Sequence, residues 1–245
     1  MRRLRRFLGA LMLLGGGSVL VGCSSGPVVR TLPDYRSGSL RAKRVLFVRL
    51  AVSDDFEDAR TGVMLSGRTR SGATREACAR VAREWSVGTV VCPPADGDQP
   101  ISELERLFAK NETIPDRVLR TARARSNADL LLLFRPESVG ATQEISQQKL
   151  NDDPFLGPSG TAIPTSVIVS GTHAAPIHTT NETELTYTIA GWLIDLRTGK
   201  RLKSGTHSGS ASNTVKHNSG FAVAPPAVPL LADIMTDLAE ALLEE

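Results

Sequence analysis

The sequence predicts an α/β fold, a mixed β-sheet with helices packed mainly on one side, in the order β-α-β-α-β-β-β-β-α. Three observations indicate this class. Two short and mostly apolar runs, KRVLFVRLAV at 43–52 and DLLLLF at 129–134, are typical of strands that are buried on both faces. Between them, the segment 73–85 has apolar residues four apart, as on one side of a helix. Strands that alternate with helices in this way form a sheet covered by helices.

The chain begins with a basic hexapeptide and a short apolar run. Residues 1–6 read MRRLRR, and residues 7–21 are apolar but contain three consecutive glycines. A helix needs about 20 apolar residues to cross a bilayer, so the run is short for a membrane span. A basic start followed by an apolar run of this length is typical of a secretory signal peptide.

The motif Leu20-Val21-Gly22-Cys23 ends that run and resembles the lipobox of bacterial lipoproteins. The resemblance implies that 1–22 is a signal peptide, that the chain is cut before Cys23, and that Cys23 is acylated, with palmitate as a typical chain. Several acyl chains give stable anchoring where a single chain is marginal. The alternative is an ordinary signal peptide, or an uncleaved anchor, with an incidental cysteine.

The residue after that cysteine indicates a destination. By the same resemblance, Ser24 in place of an aspartate implies the outer membrane of a two-membrane bacterium, with the folded domain facing the periplasm. The protein would then be held at the membrane by its lipid and would meet its partner in the envelope.

Charge and composition argue against a nucleic-acid partner. The chain has 29 Lys plus Arg and 26 Asp plus Glu, but four of the arginines belong to the signal, which leaves 25 basic residues and a formal charge of about −1. No basic run with interleaved aromatics follows the signal, and aromatic residues are only 4% of the chain. A phosphate-binding face or a base-stacking platform is therefore not predicted.

Two cysteines remain beyond the lipobox, Cys78 and Cys92. An oxidising compartment permits a disulfide between them, which would contribute on the order of 3 kcal/mol by closing a loop of about 15 residues. Two buried free thiols are the alternative, because sequence alone does not fix the geometry of the pair.

The pattern divides the chain into a flexible tether at 23–42, rich in Ser, Gly, Pro and Arg, and a single α/β domain at 43–245. Within the domain, 136–164 contains several prolines and glycines and is predicted to be a long irregular insertion.

Asn127 and Gly199 are predicted to end elements in a left-handed conformation. Helices are expected at 73–85, from 102, at 116–126 and at 230–243, and strands at 43–52, 89–92, 129–134, 165–170, 184–196 and 201–210.

Two phrases of the sequence resemble a known family. ARARSNADLLLLF and YTIAGWLIDLRTGKRLKSG look like the periplasmic α/β lipoprotein family that includes CsgG, LpoB and the amino-terminal domain of TolB. The matching residues are Ala128 and Asp129 at the entry to a central strand, and Asp195, Thr198, Gly199 and Lys200 in a later hairpin. The resemblance implies a fold and no catalytic residues. A membrane β-hairpin needs two segments of about 10 residues in which apolar and polar residues alternate. The sequence has no clear pair of this kind, which argues against pore formation.

Candidate chemistry is limited to loosely placed residues. His173, His178, His207 and His217, with Glu182 or Glu184, are a possible metal-binding set, but they lack the HExxH or paired-cysteine spacing of a zinc site. The acidic residues at 54, 55, 57 and 58 lack the ligand pattern of a calcium loop, and no Gly-x-Ser-x-Gly nucleophile motif is present. We therefore predict no catalytic residue, no cofactor and no resident metal.

These observations favour a membrane-anchored envelope lipoprotein that acts as a non-enzymatic interaction or assembly module, docking an unidentified envelope protein through 136–164. One alternative is an oligomeric subunit of a secretion channel, as the family resemblance implies. Another is a metal-dependent envelope hydrolase that uses the four histidines.

Overall fold

The computed structural model describes residues 18–21, 26–36, 40–52, 65–92, 99–110, 113–149, 177–217 and 226–244. These ranges contain seven strands and four helices. The strands are β1 (Ser18–Val21), β2 (Val28–Thr31), β3 (Arg44–Phe47), β4 (Thr89–Val91), β5 (Leu130–Lys149), β6 (Ile177–Asp195) and β7 (Arg201–His217). The helices are α1 (Gly67–Glu84), α2 (Gln99–Ala109), α3 (Asp116–Ser126) and α4 (Ala227–Leu243).

All seven strands belong to one mixed sheet. Its order is β1-β7-β6-β5-β3-β4, and β2 also pairs with β7. The apolar strand β3 runs parallel to both β4 and β5, whereas β5, β6 and β7 form a long antiparallel meander. The predicted α/β class with a mixed sheet is therefore confirmed. Two helices, α2 and α3, fill the connection from β4 to β5, which agrees with the helices expected from 102 and at 116–126, although the predicted element order counts only one there.

Side-chain alternation along the central strands forms a core on each face of the sheet. Leu130, Leu132 and Phe134 of β5 pack with α1 and α4, whereas Leu131 and Leu133 of the same strand pack with α2 and α3. This alternation is what a strand requires when both faces are covered. The longer helices α1 and α4 share one face and the shorter ones the other, so the helices are distributed more evenly than predicted.

Helix α1 begins six residues before the predicted start at 73. Ser66 caps it, since the Ser66 hydroxyl accepts a hydrogen bond from the backbone N–H of Thr69 at 3.3 Å. A serine in this position satisfies one of the free N–H groups of the first turn. Farther along, Arg80 pairs with Glu76 of its own helix and with Asp233 of α4, which links the two helices of this face.

Helix α4 lies very close to the sheet because two facing strands carry glycine where it crosses them. A methyl group added to Gly191 would lie 2.9 Å from a methyl carbon of Leu238, and one added to Gly209 would lie 2.9 Å from Ile234. Both separations are shorter than carbon atoms tolerate without movement. The glycines of β6 and β7 thus allow α4, the most apolar of the four described helices, to approach the sheet.

The prediction of an irregular insertion at 136–164 is wrong for its first half. Residues up to Lys149 continue β5, which pairs with β6 along nearly its whole length. Pro136 is accommodated because the register shifts between Pro136 and Ser138, and a bulge tolerates a residue that cannot donate a ladder hydrogen bond. Residues 150–164, like the predicted strand at 165–170, lie outside the described residues.

The prediction of a flexible tether at 23–42 also needs correction. Val28–Thr31 form β2, which pairs antiparallel with β7 from Lys203 to Thr206. Within the predicted signal peptide, β1 pairs with Ala211–Thr214 of the same strand. Polar composition without periodicity does not reveal such short edge strands, because their backbone pairing needs no apolar pattern.

Turn residues behave as predicted. Asn127 ends α3 in the left-handed region at a φ of 49°, and Gly199 adopts a φ of 69° in the turn between β6 and β7. In that turn the Asp195 carboxylate accepts hydrogen bonds from the backbone N–H groups of Arg197 and Thr198. Asp129 in turn accepts from the backbone of Arg44 at 3.3 Å. The aspartates that carry the family resemblance therefore hold strand ends together.

None of the helices in the described ranges is both long and apolar enough to cross a membrane.

Candidate docking surface

Strands β5, β6 and β7 present a polar sheet face that we call the hydroxyl face. Its members share one side of the sheet, opposite α4, and carry short hydroxyl side chains. They are Ser138, Thr186, Thr188, Thr206, Ser208 and Ser210. The register aligns Ser138, Thr188 and Ser208 in one row across the three strands. Ser138, Thr186 and Ser208 are exposed, so no helix in the described part of the chain covers this area.

The alternation of β6 determines which residues form this face. Leu185, Tyr187 and Ile189 are buried on the side of α4, as the alternating pattern predicts, and Thr186 and Thr188 point away from it. Burial raises the pKa of Tyr187 to about 12, so its phenol stays neutral at physiological pH. Across the face, the hydroxyl oxygens of Thr188 and Ser208 lie 2.9 Å apart and form a hydrogen bond.

A cluster of arginine and aromatic side chains, the arginine–aromatic cluster, borders the hydroxyl face where α2 begins to cover the sheet. Phe108 of α2 meets Trp192 of β6 edge to face, with ring centroids 4.7 Å apart. The Arg135 guanidinium carbon lies 5.3 Å from the Trp192 ring centroid and 5.8 Å from that of Phe108. Arg201 of β7 lies 5.9 Å from the Trp192 ring. Both arginines are within the range of cation–π attraction.

A small surface cavity adjoins this cluster. It has a volume of about 140 Å³ and is lined by Phe108, Thr113, Ile114, Leu119, Ile194, Gly199 and Arg201. Four of the seven lining residues are apolar, while Arg201 and Thr113 are exposed and bring one positive charge and one hydroxyl to the cavity. Phe108 and Arg201 belong to both the cluster and the cavity, so the two features form one site.

The described histidines of the possible metal-binding set do not surround one point. His207 lies on β7 opposite Ile189, whereas His217 lies ten residues farther along the strand, opposite Thr179. At about 3.3 Å per residue that separation is roughly 33 Å. His178 is the neighbour of Thr179 on β6, and His173 lies outside the described residues. In the described part of the chain, no three side chains suited to metal binding are grouped.

His207 has a structural setting on the α4 face. It is buried, and its Nε2 lies 3.4 Å from an Asp237 carboxylate oxygen of α4. Its Nδ1 is buried without a hydrogen-bond partner among the residues described. No nucleophile accompanies the pair in these contacts.

A second, partly buried polar contact joins the segment that follows β3 to α2. The Nε and Nη2 atoms of Arg49 both donate to the same oxygen of Glu105, at 3.0 and 2.6 Å. Burial raises the pKa of Glu105 above its ordinary value of 4.5, and the hydrogen bonds and charge of Arg49 oppose that rise. This pair links the segment just after β3 to the helix that carries Phe108.

The two domain cysteines are bonded to each other. The Cys78–Cys92 disulfide joins the middle of α1 to the residue after β4, with Cα atoms 5.9 Å apart. It therefore holds the edge strand against the helix that covers it. Cys23, the predicted lipidation site, and the acidic residues at 54–58 lie outside the described residues.

Sequence reasoning did not single out Arg135, Trp192 or Arg201. The sequence did contain a signal for Trp192. It lies an even number of residues from Thr186 and Thr188 along β6, so all three side chains belong on the same, polar side of that strand. A large aromatic residue on an otherwise hydroxylated face marks a site worth examination. The flanking arginines became evident only from the strand register.

Comparisons with known proteins identify distant structural likenesses. No protein-family model matches the chain, and a search of curated proteins finds no relative. The chain is similar to the PelC dodecamer from Paraburkholderia phytofirmans, with 16% identity, coverage of 91% of this chain and 96% of the other, and a TM-score of 0.34. Hypothetical protein CT253 from Chlamydia trachomatis gives 7% identity, 82% and 96% coverage, and a TM-score of 0.41. Lipoprotein GNA1162 from Neisseria meningitidis gives 14% identity, 82% and 95% coverage, and a TM-score of 0.30.

Proposed function

We propose that this chain is a lipid-anchored envelope lipoprotein that acts as a non-enzymatic docking module, and that a partner binds to its hydroxyl face. The single observation that supports this most is the exposure of that face on three hydrogen-bonded strands. Helices pack on both sides of the apolar part of the described sheet, whereas the six hydroxyl residues lie on one side of β5, β6 and β7 and three of them are exposed. The docking surface is thus a regular sheet, and not the irregular segment that the sequence suggested.

The chemistry of the face suits association with another folded protein. Each hydroxyl group donates one hydrogen bond and accepts others, so the surface can meet either kind of polar group. Short side chains lose less rotamer entropy on burial than lysine or arginine do. Interfaces between proteins that also exist apart are about as polar as the rest of the surface, and a hydroxylated sheet face fits that class.

The anchor in this proposal is Cys23. The support for it is the lipobox resemblance at Leu20 to Cys23, together with the basic start and the short apolar run. Attachment of acyl chains to this cysteine would hold the domain at the outer membrane with its folded part in the periplasm.

The anchor is tested with Cys23→Ser in a bacterial host that processes lipoproteins. We expect the parent protein to incorporate radiolabelled palmitate and to sediment with membranes, and the variant to lose both properties. A variant that still sediments and still labels would contradict the lipid anchor. Substitution of the neighbouring Ser25 by Ala is the matched control and should change neither result.

The docking surface is tested by photo-crosslinking in intact cells. A photoreactive residue at Thr186 or Ser208 should give a discrete crosslinked product, whereas the same residue at Ala82, exposed on α1, should not. A product that contains a different envelope protein would support the docking module. Products that contain only further copies of this chain would instead support the oligomeric alternative, and equal labelling at all three positions would contradict a docking surface at this face.

A further inference from the structure

The two arginines of the arginine–aromatic cluster have unused binding capacity. Among the described residues, neither Arg135 nor Arg201 forms an ion pair with a carboxylate; both contact the Trp192 ring instead. A guanidinium that lies near an aromatic ring keeps N–H donors in its own plane, and these match the geometry of a carboxylate. The cluster therefore holds cations that can accept an anionic ligand.

The cavity beside them adds an apolar requirement. Four of its seven lining residues are apolar, namely Phe108, Ile114, Leu119 and Ile194, and Arg201 lies at the same cavity. Its volume of about 140 Å³ is close to that of an apolar protein cavity of about 150 Å³ that holds one benzene molecule. A ligand that fills it thus has an apolar group of about that size directly next to its negative charge.

The neighbouring helix strengthens the preference for an anion. Helix α3, which supplies Leu119 to the cavity, contains four arginines and one aspartate. One of these arginines, Arg117, pairs with Glu103 at 3.5 Å in an exposed position. Clustered charge of one sign raises the local concentration of oppositely charged ligands and the rate at which they arrive.

We propose that this site binds the carboxy-terminal residue of a partner protein, with its apolar side chain in the cavity and its terminal carboxylate on Arg201. A carboxy-terminal residue carries both required groups on one carbon atom, which fits the adjacency of cavity and cation. Capture of a chain terminus is an established mode of peptide recognition. The inference rests on the proposed docking function only in taking a protein as the source of the ligand, and it involves neither Cys23 nor the hydroxyl face.

The fluorescence emission of Trp192 reports on binding at this site. The sequence has two tryptophans, so the full-length protein with Trp85→Phe, extracted in detergent, reports on Trp192 alone. The probes are hexapeptides that end in leucine or phenylalanine, each with a free carboxylate or a carboxy-terminal amide. We expect the free acids to change the Trp192 emission in a saturable way, and the amides to bind at least about tenfold more weakly, as loss of a charge-assisted hydrogen bond implies.

Arginine variants separate a specific site from general attraction. Arg201→Gln should weaken the free-acid peptides about tenfold or more, whereas Arg197→Gln, which removes an equal charge from the exposed turn nearby, should change binding less than twofold. Equal affinity for acids and amides, equal effects of the two variants, or absence of saturable binding would overturn the proposal.

These results are independent of the test of the docking face. A crosslink at Ser208 with no peptide binding would leave the docking module in place and remove only this site. Peptide binding without a crosslink at Ser208 would support this site and contradict docking at the hydroxyl face.

Discussion

Glu105 is a buried carboxyl group whose environment sets two effects against each other. Its side chain is 11% exposed, and burial raises its pKa, while Arg49 at 2.6 Å lowers it. The net direction is upward, so in this protein burial outweighs the partner. For an acid whose pKa is higher in the folded state, the folded state binds the proton more tightly than the unfolded state does.

The sign of this shift gives a first prediction. As pH rises from 4 to 7, Glu105 loses its proton and its contribution to the free energy of unfolding falls, from just above pH 4.5 onward. The parent protein should therefore lose stability relative to Glu105→Gln over this interval, measured by urea denaturation at both pH values. Glu103→Gln, which removes an exposed partner of Arg117, should show no such trend. A relative gain by the parent would mean that Arg49 dominates.

Gly191 gives a second prediction. Its replacement by alanine places a methyl group 2.9 Å from Leu238 and 3.0 Å from Leu242, so α4 must move away from the sheet. We expect a loss of about 1–3 kcal/mol, as in other overpacked cores, measured by thermal or urea denaturation. Gly67→Ala is the control, because nothing lies within 4 Å of the added methyl at the start of α1, and we expect it to leave the free energy of unfolding unchanged or to raise it by up to about 1 kcal/mol.

The conformation of a single residue was predictable where its own residue type favours that conformation. Asn127 and Gly199 adopt left-handed conformations that their residue types favour, and both were identified from sequence. Arg135 and Trp192 were not identified, because their significance depends on β5 and β6 being paired in one register. A property that arises from two distant segments has no local signature.

At the scale of elements, the disulfide gives a third prediction. It ties β4, a strand of only three residues at the sheet edge, to α1. Cys78→Ala with Cys92→Ala should lower the free energy of unfolding by roughly 3 kcal/mol, since the unfolded chain is no longer closed into a loop. Urea denaturation with and without reductant measures this. Reductant should destabilise the parent and leave the double variant unchanged, and a parent insensitive to reductant would contradict the assignment.

Apolar elements were predicted more accurately than polar ones. Strand β3, the start of β5 and helix α4 were located from hydrophobic pattern alone, because burial on a helix or sheet imposes it. The second half of β5 was missed, since Pro136 and a run of polar residues suggested a loop. Its structure comes from pairing with β6, and hydrogen bonds between strands need no apolar side chains.

At the scale of the molecule, the meander extends beyond the described core. On β5 the buried side chains described end at Pro136, and on β6 they begin at Leu185. Beyond these points the paired sequences are TQEISQQK at 142–149 and IHTTNETE at 177–184. With few apolar residues, this part of the sheet depends mainly on its backbone hydrogen bonds.

The fourth prediction concerns this extension. Segments with few buried apolar contacts open at a lower free energy than the core does. In hydrogen exchange followed by mass spectrometry, amides at 142–149 should exchange faster than those at 130–135 of the same strand. Equal protection along β5 in the monomeric protein would show that the extension is as stable as the core and would refute this prediction.

The pairing of β2 with β7 has a consequence for where the domain can stand. Val28 is five residues from Cys23, and five residues of fully extended chain span at most about 18 Å. A flexible tether of twenty residues, as predicted for 23–42, would instead reach about 70 Å. A lipid on Cys23 would therefore hold the beginning of β2, and with it the edge of β7, within about 18 Å of the membrane surface. A domain anchored in this way would meet its partners close to the membrane surface.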